Sequence, residues 1–542
     1  MLSFTDLPSE IHHQIISYLE SNRDVAALSS QCQALHSLCD MSNRKKYRRV
    51  RITPSIADLD RGFDMLMDIL RQPSLGHYVR HIEYKQTVSR YREYVVKPPK
   101  RKLNEEDMRL LRSATQRAGY TGALRERVIN MLMRESLESV VGDGEDRLFG
   151  SFSDTRAPAT YVTQALTALL VSVSPNLESM AMMPTFYTDL EWDEDDSSFV
   201  PSECALDLLI RDTNDSPAGK PYLQNLRRVY IINLGVDYFD DGRVYVDMDL
   251  IGCLAILRNL PSLECIGTDA LAEDRYGKPA LEAKSSNVSR IAIHHSSVDT
   301  SYLTPVIRSC RVMREFEYSI GGRGPATNHG THTTFNPKTF ILSVLEHKTT
   351  LEKLDVDVEA HIHSFIYYSP RGLNFDGQGA RAEAQQYWTD PPPDSFWDQR
   401  GCLKDFVALK RLSIGVNFLL YFAAGVNNDN ENKDVPLVEY LPPNLEYLCI
   451  RGYEKGKPGM GAHAPLREQR WKHHDAQIDA LKALVESGST SLKEIHGVDE
   501  CIPNAEDIEY PPEDYPDLLW TLCDEWSDEE DSRDDQDENE EA

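Results

Sequence analysis

Residues 349–356, "TTLEKLDV", contain the pattern from which the architecture of this chain can be predicted. Six of these residues form a hexad in which positions 1, 4 and 6 are aliphatic (Leu351, Leu354 and Val356) and the others are polar. Alternation of apolar and polar residues over a short stretch is typical of a strand with one buried face. The hexad therefore predicts a short strand whose aliphatic side chains enter a core.

The hexad recurs along the chain, which makes it a repeat and not an isolated strand. Further copies begin at Leu177, Leu226, Leu263, Val288, Leu409, Leu445 and Leu492, and looser ones lie in "HYVRHIEY" from His77 and "RVMREFEY" from Arg311. The steps from Leu263 to Val288 and from Val288 to Met313 are 25 residues each. Helix-like apolar runs, such as "PKTFILSVLEH" from Pro337, lie between the copies.

This pattern resembles the leucine-rich repeat, whose signature is Leu-x-x-Leu-x-Leu and whose length is about 20–29 residues. The resemblance implies an irregular α/β solenoid, or horseshoe, with strands on its concave side and helices on its convex side. The longer steps elsewhere then require loop insertions. An ordinary α/β domain with parallel strands is the alternative fold.

A second pattern lies in residues 7–38, "LPSEIHHQIISYLESNRDVAALSSQCQALHSL". Apolar residues at helical spacing predict two helices, the first through Ile11, Ile15, Ile16 and Leu19 and the second through Val25, Leu28, Cys32 and Leu35. Asp24 is the predicted N-cap of the second helix, and His12 and His13 are predicted on the polar side of the first. Two short helices bury too little surface to be stable alone, so we expect their apolar sides to meet further partners.

Residues 1–50 resemble an F-box, which has three helices, a Leu-Pro start and a Leu-x-x-x-Cys motif. Gln33 and His36 depart from the resemblance, because many F-boxes have Arg and Trp there. The resemblance implies docking on the Skp-type adaptor of an SCF (cullin–RING) ubiquitin ligase. The implied adaptor-binding residues are Leu7, Pro8, Glu10, Ile11, Ile15, Ile16, Leu19, Leu28, Cys32 and Leu35. An ordinary N-terminal helical hairpin is the alternative.

The residues between the aliphatic positions of the hexads are expected on the concave face, since side chains alternate along a strand. The candidate substrate-binding residues are Arg228, Tyr230, Arg290, His294, Glu315, Glu317, Lys353, Asp355, Asp357, Arg411, Tyr447 and Arg451. Their acids fall in the middle of the array and arginines flank them, so one hypothesis is a substrate that presents a basic segment there. A solvated face without a partner is the alternative.

Composition excludes some classes of function. The net charge is −29, which argues against a nucleic-acid-binding protein. Twelve acids and one arginine from Asp524 onward contribute −11 of that charge and predict a disordered acidic tail. Ten scattered cysteines without a C-x-x-C pair predict reduced thiols in a cytoplasmic or nuclear protein. We expect no membrane-spanning segment, because apolar runs are short.

Motifs for catalysis, metal binding or phosphate binding are lacking in the sequence. No G-x-x-x-x-G-K-[ST], G-x-S-x-G or H-E-x-x-H pattern occurs. The histidine pairs have no nearby ligand set, so we expect no catalytic residues, no metal and no cofactor. An α/β enzyme with an N-terminal helical cap is the least favoured alternative.

The sequence thus predicts an α+β protein with three parts. These are an F-box at residues 1–50, a leucine-rich-repeat-like solenoid at 51–505 with a helical insertion at about 104–142, and a disordered acidic tail at 506–542. A basic stretch at 97–102 is either a nuclear import signal or a basic loop. The predicted function is a non-catalytic substrate receptor of an SCF-type ligase that binds the adaptor, and through it cullin and RING subunits, together with an unknown protein substrate. The alternative is a ligase-independent scaffold with a degenerate F-box.

Overall fold

The computed structural model describes most of the chain up to Asn504. The described residues are 7–8, 11–12, 15–16, 19, 22–53, 55–85, 100–134, 157–185, 205–232, 245–273, 281–321, 335–359, 381–382, 384–385, 388, 390–429, 435–456, 464–488 and 490–504. Glu10, the first part of the 97–102 stretch and the predicted acidic tail at 506–542 lie outside them.

Helices and parallel strands alternate in two compact units, as expected for a mixed helix-and-strand protein. The first unit comprises Met1–Arg227 with Leu260–Ser262, and the second comprises Arg228–Asn259 with Leu263–Ala542. The boundary falls inside the hexad that begins at Leu226. Because it extends to Arg227, the first unit is much larger than the predicted first domain of 50 residues.

In the first unit the structure gives bounds for eight α-helices and three strands, and residues 11–12 and 15–16 are also helical. In chain order they are α1 (Asn22–Ser29), α2 (Gln33–Cys39), α3 (Met41–Arg48), β1 (Arg49–Ile52), α4 (Ile56–Arg71), β2 (His81–Tyr84), α5 (Glu105–Arg117), α6 (Gly122–Leu132), α7 (Ala157–Ser172), β3 (Ser179–Met182) and α8 (Ala205–Asp215). The strands are parallel, in the order β1-β2-β3. Helices α5 and α6 occupy the range of the predicted helical insertion.

Strand β1 was not predicted. It lies at the end of the basic run "NRKKYRRVRI", Asn43 to Ile52, whose charge favours a solvated helix end when the sequence is taken alone. The last residues of this run do form a hexad, with Tyr47 at position 1 and Val50 and Ile52 at positions 4 and 6, and these three side chains are buried. A search that admitted an aromatic residue at position 1 would have found it.

Arg101 attaches the segment before α5 to helix α4. Its guanidinium donates to Leu132 O at 2.7 Å and to Asp60 Oδ1 at 2.6 Å, and it lies 4.1 Å from the centre of the Phe63 ring. Arg134 donates to the same Asp60 oxygen at 2.6 Å. Arg101 is therefore a packed residue and not part of an exposed basic loop, whereas Lys100 and Lys102 are exposed.

The second unit carries most of the hexads. Its elements are β4 (Arg228–Ile231), β5 (Val246–Met248), α9 (Leu250–Leu257), β6 (Cys265–Asp269), β7 (Leu271–Glu273), β8 (Arg290–His294), α10 (Thr300–Ser309), β9 (Glu315–Ser319), α11 (Pro337–Leu345), β10 (Lys353–Asp357), α12 (Asp394–Trp397), β11 (Arg411–Gly415), α13 (Val416–Ala424), β12 (Tyr447–Arg451), α14 (Ala464–Glu486) and β13 (Glu494–His496). Strands β5 and β7 pair separately.

The strand prediction is confirmed for every hexad, because in each of them a strand begins at position 3. In the second unit these strands are all parallel and follow chain order, β4-β6-β8-β9-β10-β11-β12-β13. Position 3 of each hexad aligns with position 3 of the next, as in Lys353 opposite Arg411 and Arg411 opposite Tyr447. The repeat in the sequence is therefore also a repeat in strand register.

The core of the second unit lies between the aliphatic side of the strands and the helices. The position-1 residues of all hexads are at most 4% exposed. Phe316 of β9 lies 5.6 Å from Phe340 of α11, and Phe340 lies 5.9 Å from Phe418 of α13, measured between ring centres. Each such buried aromatic side chain stabilises the fold by about 2–3 kcal/mol through the removal of apolar surface from water.

The helices of the second unit begin where the sequence supplies capping side chains. The N–H groups of Gly252, Tyr302 and Thr339 donate to the side chains of Asp249, Asp299 and Asn336 at 2.7–3.0 Å. Each such cap contributes about 1 kcal/mol. None of the described helices is both long enough and apolar enough to span a membrane.

Candidate functional site

The first candidate surface is the strand face of the second unit, made by hexad positions 3, 5 and 7. It carries all twelve predicted substrate-binding residues, and most of them are half-buried or exposed. Asp357 is the exception, because its side chain is only 2% exposed. The face is therefore available to a partner in most places, but not at the carboxyl end of β10.

Acids in the middle of the face are paired within the sheet. Lys353 Nζ lies 2.6 Å from Glu317 Oε1. Arg290 Nε lies 3.3 Å from Glu315 Oε1. Burial lowers the pKa of Lys353, but Glu317 outweighs that effect and raises it above its usual value. The predicted acidic centre thus contains its own cations.

Arg451 compensates the other two acids from two strands away. Its Nη2 lies 3.2 Å from Asp355 Oδ1, its Nη1 lies 3.5 Å from Asp357 Oδ2, and its Nε donates to Ser413 Oγ at 3.0 Å. The side chain can cross β11 because that strand has only Ser413 and Gly415 at the intervening positions. Burial lowers the pKa of Arg451, and the two carboxylates raise it above its usual value.

Two histidines lie beside this acidic group. Burial lowers the pKa of His294 although Glu317 opposes it, so the ring is neutral at pH 7. His295 Nδ1 lies 2.8 Å from Asp269 Oδ1. Within the described residues, no group of three or more histidine, cysteine, aspartate or glutamate side chains is arranged to hold a metal ion.

Three side chains at the far end of the face form what we call the stacked row, namely Arg411, Tyr447 and His496. The Arg411 guanidinium carbon lies 4.5 Å from the centre of the Tyr447 ring, and the Tyr447 and His496 ring centres are 5.3 Å apart. Arg411 and His496 are exposed. The Arg411 guanidinium lies over the Tyr447 ring and the side chain is exposed, so this row presents hydrogen-bond donors beside an aromatic surface.

Position 2 of the hexads carries ion pairs that were not predicted from the sequence. In the second unit Glu352 pairs with Arg314 and with Lys410, both at 3.0 Å, and Glu446 pairs with Lys493 at 2.7 Å. In the first unit Arg80 pairs with Glu178 at 2.5 Å. Opposite charges on successive hexads meet because the register is constant. The sequence contained a signal for these ion pairs, namely the alternation of charge sign at position 2 from one hexad to the next.

The second candidate surface is the N-terminal helical segment, residues 7–48. Ile16, Val25 and Cys39 form a buried cluster, against which Leu19, Leu28, Leu38 and Met41 pack. Ile11 is 41% exposed, Pro8 is exposed, and Leu7 and Ile15 are half-buried. Leu35 is buried, Cys32 is exposed, and Glu10 lies outside the described residues.

Several details of this segment differ from the prediction. The second helix is interrupted, because α1 ends at Ser29 and α2 begins at Gln33, with Cys32 in an extended conformation between them. Asp24 lies in the first turn of α1 and is not its N-cap, since the helix begins at Asn22. His12 is only 3% exposed and therefore not on a solvated side. Helical spacing did not reveal the break, because the apolar residues keep their period across it.

No protein-family model matches the chain, and no curated protein is significantly similar to it. The resemblances to an F-box and to leucine-rich repeats therefore rest on the residues quoted above, and the assignments they imply are proposals.

Proposed function

We propose that the chain is a non-catalytic substrate receptor of an SCF-type cullin–RING ubiquitin ligase. In this proposal the N-terminal helical segment is an F-box that docks on the Skp-type adaptor. The strand face of the second unit is the concave side of a leucine-rich-repeat solenoid and holds a protein substrate. Ubiquitin transfer is then accelerated by proximity, which other subunits supply.

One observation carries the proposal, namely the division of apolar residues in the N-terminal segment. Ile16 is 2% exposed inside the cluster, whereas Ile11, on the same stretch, is 41% exposed beside exposed Pro8. Exposed apolar residues beside a small buried cluster are typical of a surface that packs on a partner.

Co-purification with the adaptor tests the docking step. We expect the wild type to form a stable complex and the triple variant Leu7→Ala, Pro8→Ala, Ile11→Ala to lose at least tenfold in affinity. Ile56→Ala is the matched control, because Ile56 is 39% exposed in the same unit but belongs to α4. Failure of the wild type to bind the adaptor would remove the ligase function.

Substrate capture is proposed at the stacked row and not at the acidic centre. The acids of the centre already pair with Lys353 and Arg451, whereas Arg411 is exposed. The substrate would present a carboxylate or another acceptor to Arg411 and an apolar group to Tyr447. We expect Tyr447→Ala to reduce substrate ubiquitination in the reconstituted ligase, and Arg314→Ala, which removes an exposed cation at position 2, to leave it unchanged.

A ligase-independent scaffold is the second candidate, and one contact favours it. His36 replaces the Trp of many F-boxes, and its Nδ1 lies 2.9 Å from Ser29 Oγ, so the side chain is engaged within the segment. A scaffold would retain partner binding through the second unit in cells that lack the adaptor. Loss of that binding on adaptor depletion would exclude the scaffold.

A further inference from the structure

The last strand of the second unit, β13, differs from the strands before it. Position 4 of a hexad is at most 2% exposed in every earlier strand of this unit, as in Leu354 and Leu448. Ile495 occupies that position in β13 and is partly exposed. Leu484 and Val485, at the end of the preceding helix α14, are partly exposed as well. The apolar layer of the unit is therefore incompletely buried at β13.

The backbone of β13 has an open outer edge. Among the described residues, β13 pairs with β12 and no strand lies on its other side. In a parallel ladder only every second residue directs its N–H and C=O to a given neighbour. Glu494 N–H donates to Glu446 O at 3.1 Å, so Glu494 and His496 bond to β12, and the N–H and C=O of Ile495 point to the outer edge. Such an edge is a template for pairing with another strand.

The loop that follows β13 turns toward α14. Asp499 Oδ1 lies 2.5 Å from Lys482 Nζ of that helix. Ile502 then bridges to Arg451 of β12, and its carbonyl oxygen accepts from Gly452 N–H at 2.9 Å. The loop is thus held on the side of α14 and β12, away from the outer edge of β13.

On the strand face, the side chains of β13 are complementary to those of a second copy of the same strand. Glu494 presents a hydrogen-bond acceptor and His496 a donor, and their side chains are 66% and 52% exposed. When two such strands pair antiparallel about Ile495, each Glu494 lies opposite the His496 of the other copy. A parallel pairing in the same register would instead place Glu494 opposite Glu494. The antiparallel contact is isologous, because both copies contribute the same residues about a twofold axis.

The apolar side of β13 matches across the same axis. A twofold axis perpendicular to the sheet keeps the helices of both copies on one side, so Ile495 of one copy lies beside Ile495 of the other. The ends of the two α14 helices, which carry the partly exposed Leu484 and Val485, lie on that side as well. Pairing therefore removes apolar surface from water, which favours association.

We propose that the second unit pairs with a second copy of the chain through β13, in an antiparallel contact of sheet edges centred on Ile495. The sheets of the two copies then continue into each other. The stacked row is extended in each copy, because Glu494 of the second copy lies beside His496. The proposal is independent of the ligase function, since it concerns only the edge of the sheet.

Light scattering on the full-length chain over a concentration series tests the pairing. The wild type passes from the mass of one chain to the mass of two as concentration rises. Glu494→Lys places a donor opposite His496, and His496→Glu places an acid opposite Glu494, so each variant weakens the dimer at least about tenfold. The combined variant Glu494→Lys, His496→Glu restores complementary pairs and therefore the dimer. Glu282→Lys is the matched control and dimerises as the wild type does, because Glu282 is an exposed acid of the same unit that precedes β8.

A second measurement uses the apolar side of the contact. Ile495→Asp places two carboxylates at the axis, so this variant has the mass of one chain at every concentration, while its circular dichroism matches that of the wild type. A wild type that stays one chain throughout would show that the edge does not pair. A dimer that survives Ile495→Asp and both single charge variants would place the contact elsewhere. Equal losses in the single and combined charge variants would exclude the antiparallel register.

Discussion

Glu359 makes the stability of the second unit depend on pH, and its substitution tests the electrostatics of that unit. The residue follows β10 and is 4% exposed. Its carboxylate accepts from Asn417 N–H at 3.0 Å and from Phe418 N–H at 3.4 Å, at the start of α13. Burial raises the pKa of Glu359 from 4.5 to about 7; the hydrogen bonds from Asn417 and Phe418 oppose the rise, and Asp357 adds to it.

The sign follows from the raised pKa. Between pH 4.5 and about 7 the folded chain binds a proton that the unfolded chain has released. The unfolding free energy therefore falls as pH rises through this window, by about 3 kcal/mol for a single group with this shift. Above about pH 7 the contribution of this proton to the unfolding free energy is lost completely.

Glu359→Gln removes the titration while keeping the shape of the side chain. Urea unfolding followed by circular dichroism from pH 5 to 8 should show the wild type losing about 3 kcal/mol more than the variant. The amide has one acceptor oxygen fewer than the carboxylate, so we expect a constant offset between the two curves of unfolding free energy against pH. The test is the difference between the slopes of these curves. Glu446→Gln is the control. A hydrogen bond from Lys493 lowers the pKa of Glu446, so the contribution of ionised Glu446 to the unfolding free energy is lost as pH falls and not as pH rises. Parallel curves for wild type and Glu359→Gln from pH 5 to 7.5 would refute the reasoning.

Three further substitutions test separate contacts. Arg451→Gln leaves buried Asp357 without its cation, so urea unfolding should show a loss of about 3 kcal/mol; an unchanged midpoint would contradict the pairing. Glu352→Lys places like charges beside Lys410 at the half-exposed position 2, so we expect a loss of at most about 1 kcal/mol that shrinks in high salt. Arg101→Ala removes hydrogen bonds and the contact with the Phe63 ring, so limited proteolysis should cut faster at 100–134. If the basic stretch is instead a nuclear import signal, the variant Lys100→Ala, Lys102→Ala should lose nuclear import.

The hexad pattern predicted every strand whose hexad has an aliphatic residue at position 1, and each of these strands begins at position 3. Such a strand is specified by a few residues close in sequence, since burial of positions 1, 4 and 6 follows from alternation alone. The prediction missed β1 because Tyr47 takes the place of an aliphatic residue. It also missed the break between α1 and α2, because the apolar period continues through Cys32 while the backbone does not.

Which side chains face the strand surface was determined by the sequence itself, because alternation assigns each residue to one side. The contacts that those side chains make on the face depend on the folded chain. Arg451 reaches Asp355 and Asp357 across a strand that carries Ser413 and Gly415, and Glu359 caps a helix 58 positions further along the chain. Charge compensation depends on distances between residues remote in sequence, and parallel register sets those distances. A count of acids and bases along the chain therefore predicted an acidic centre, and in the folded chain Arg290, Lys353 and Arg451 pair with its acids.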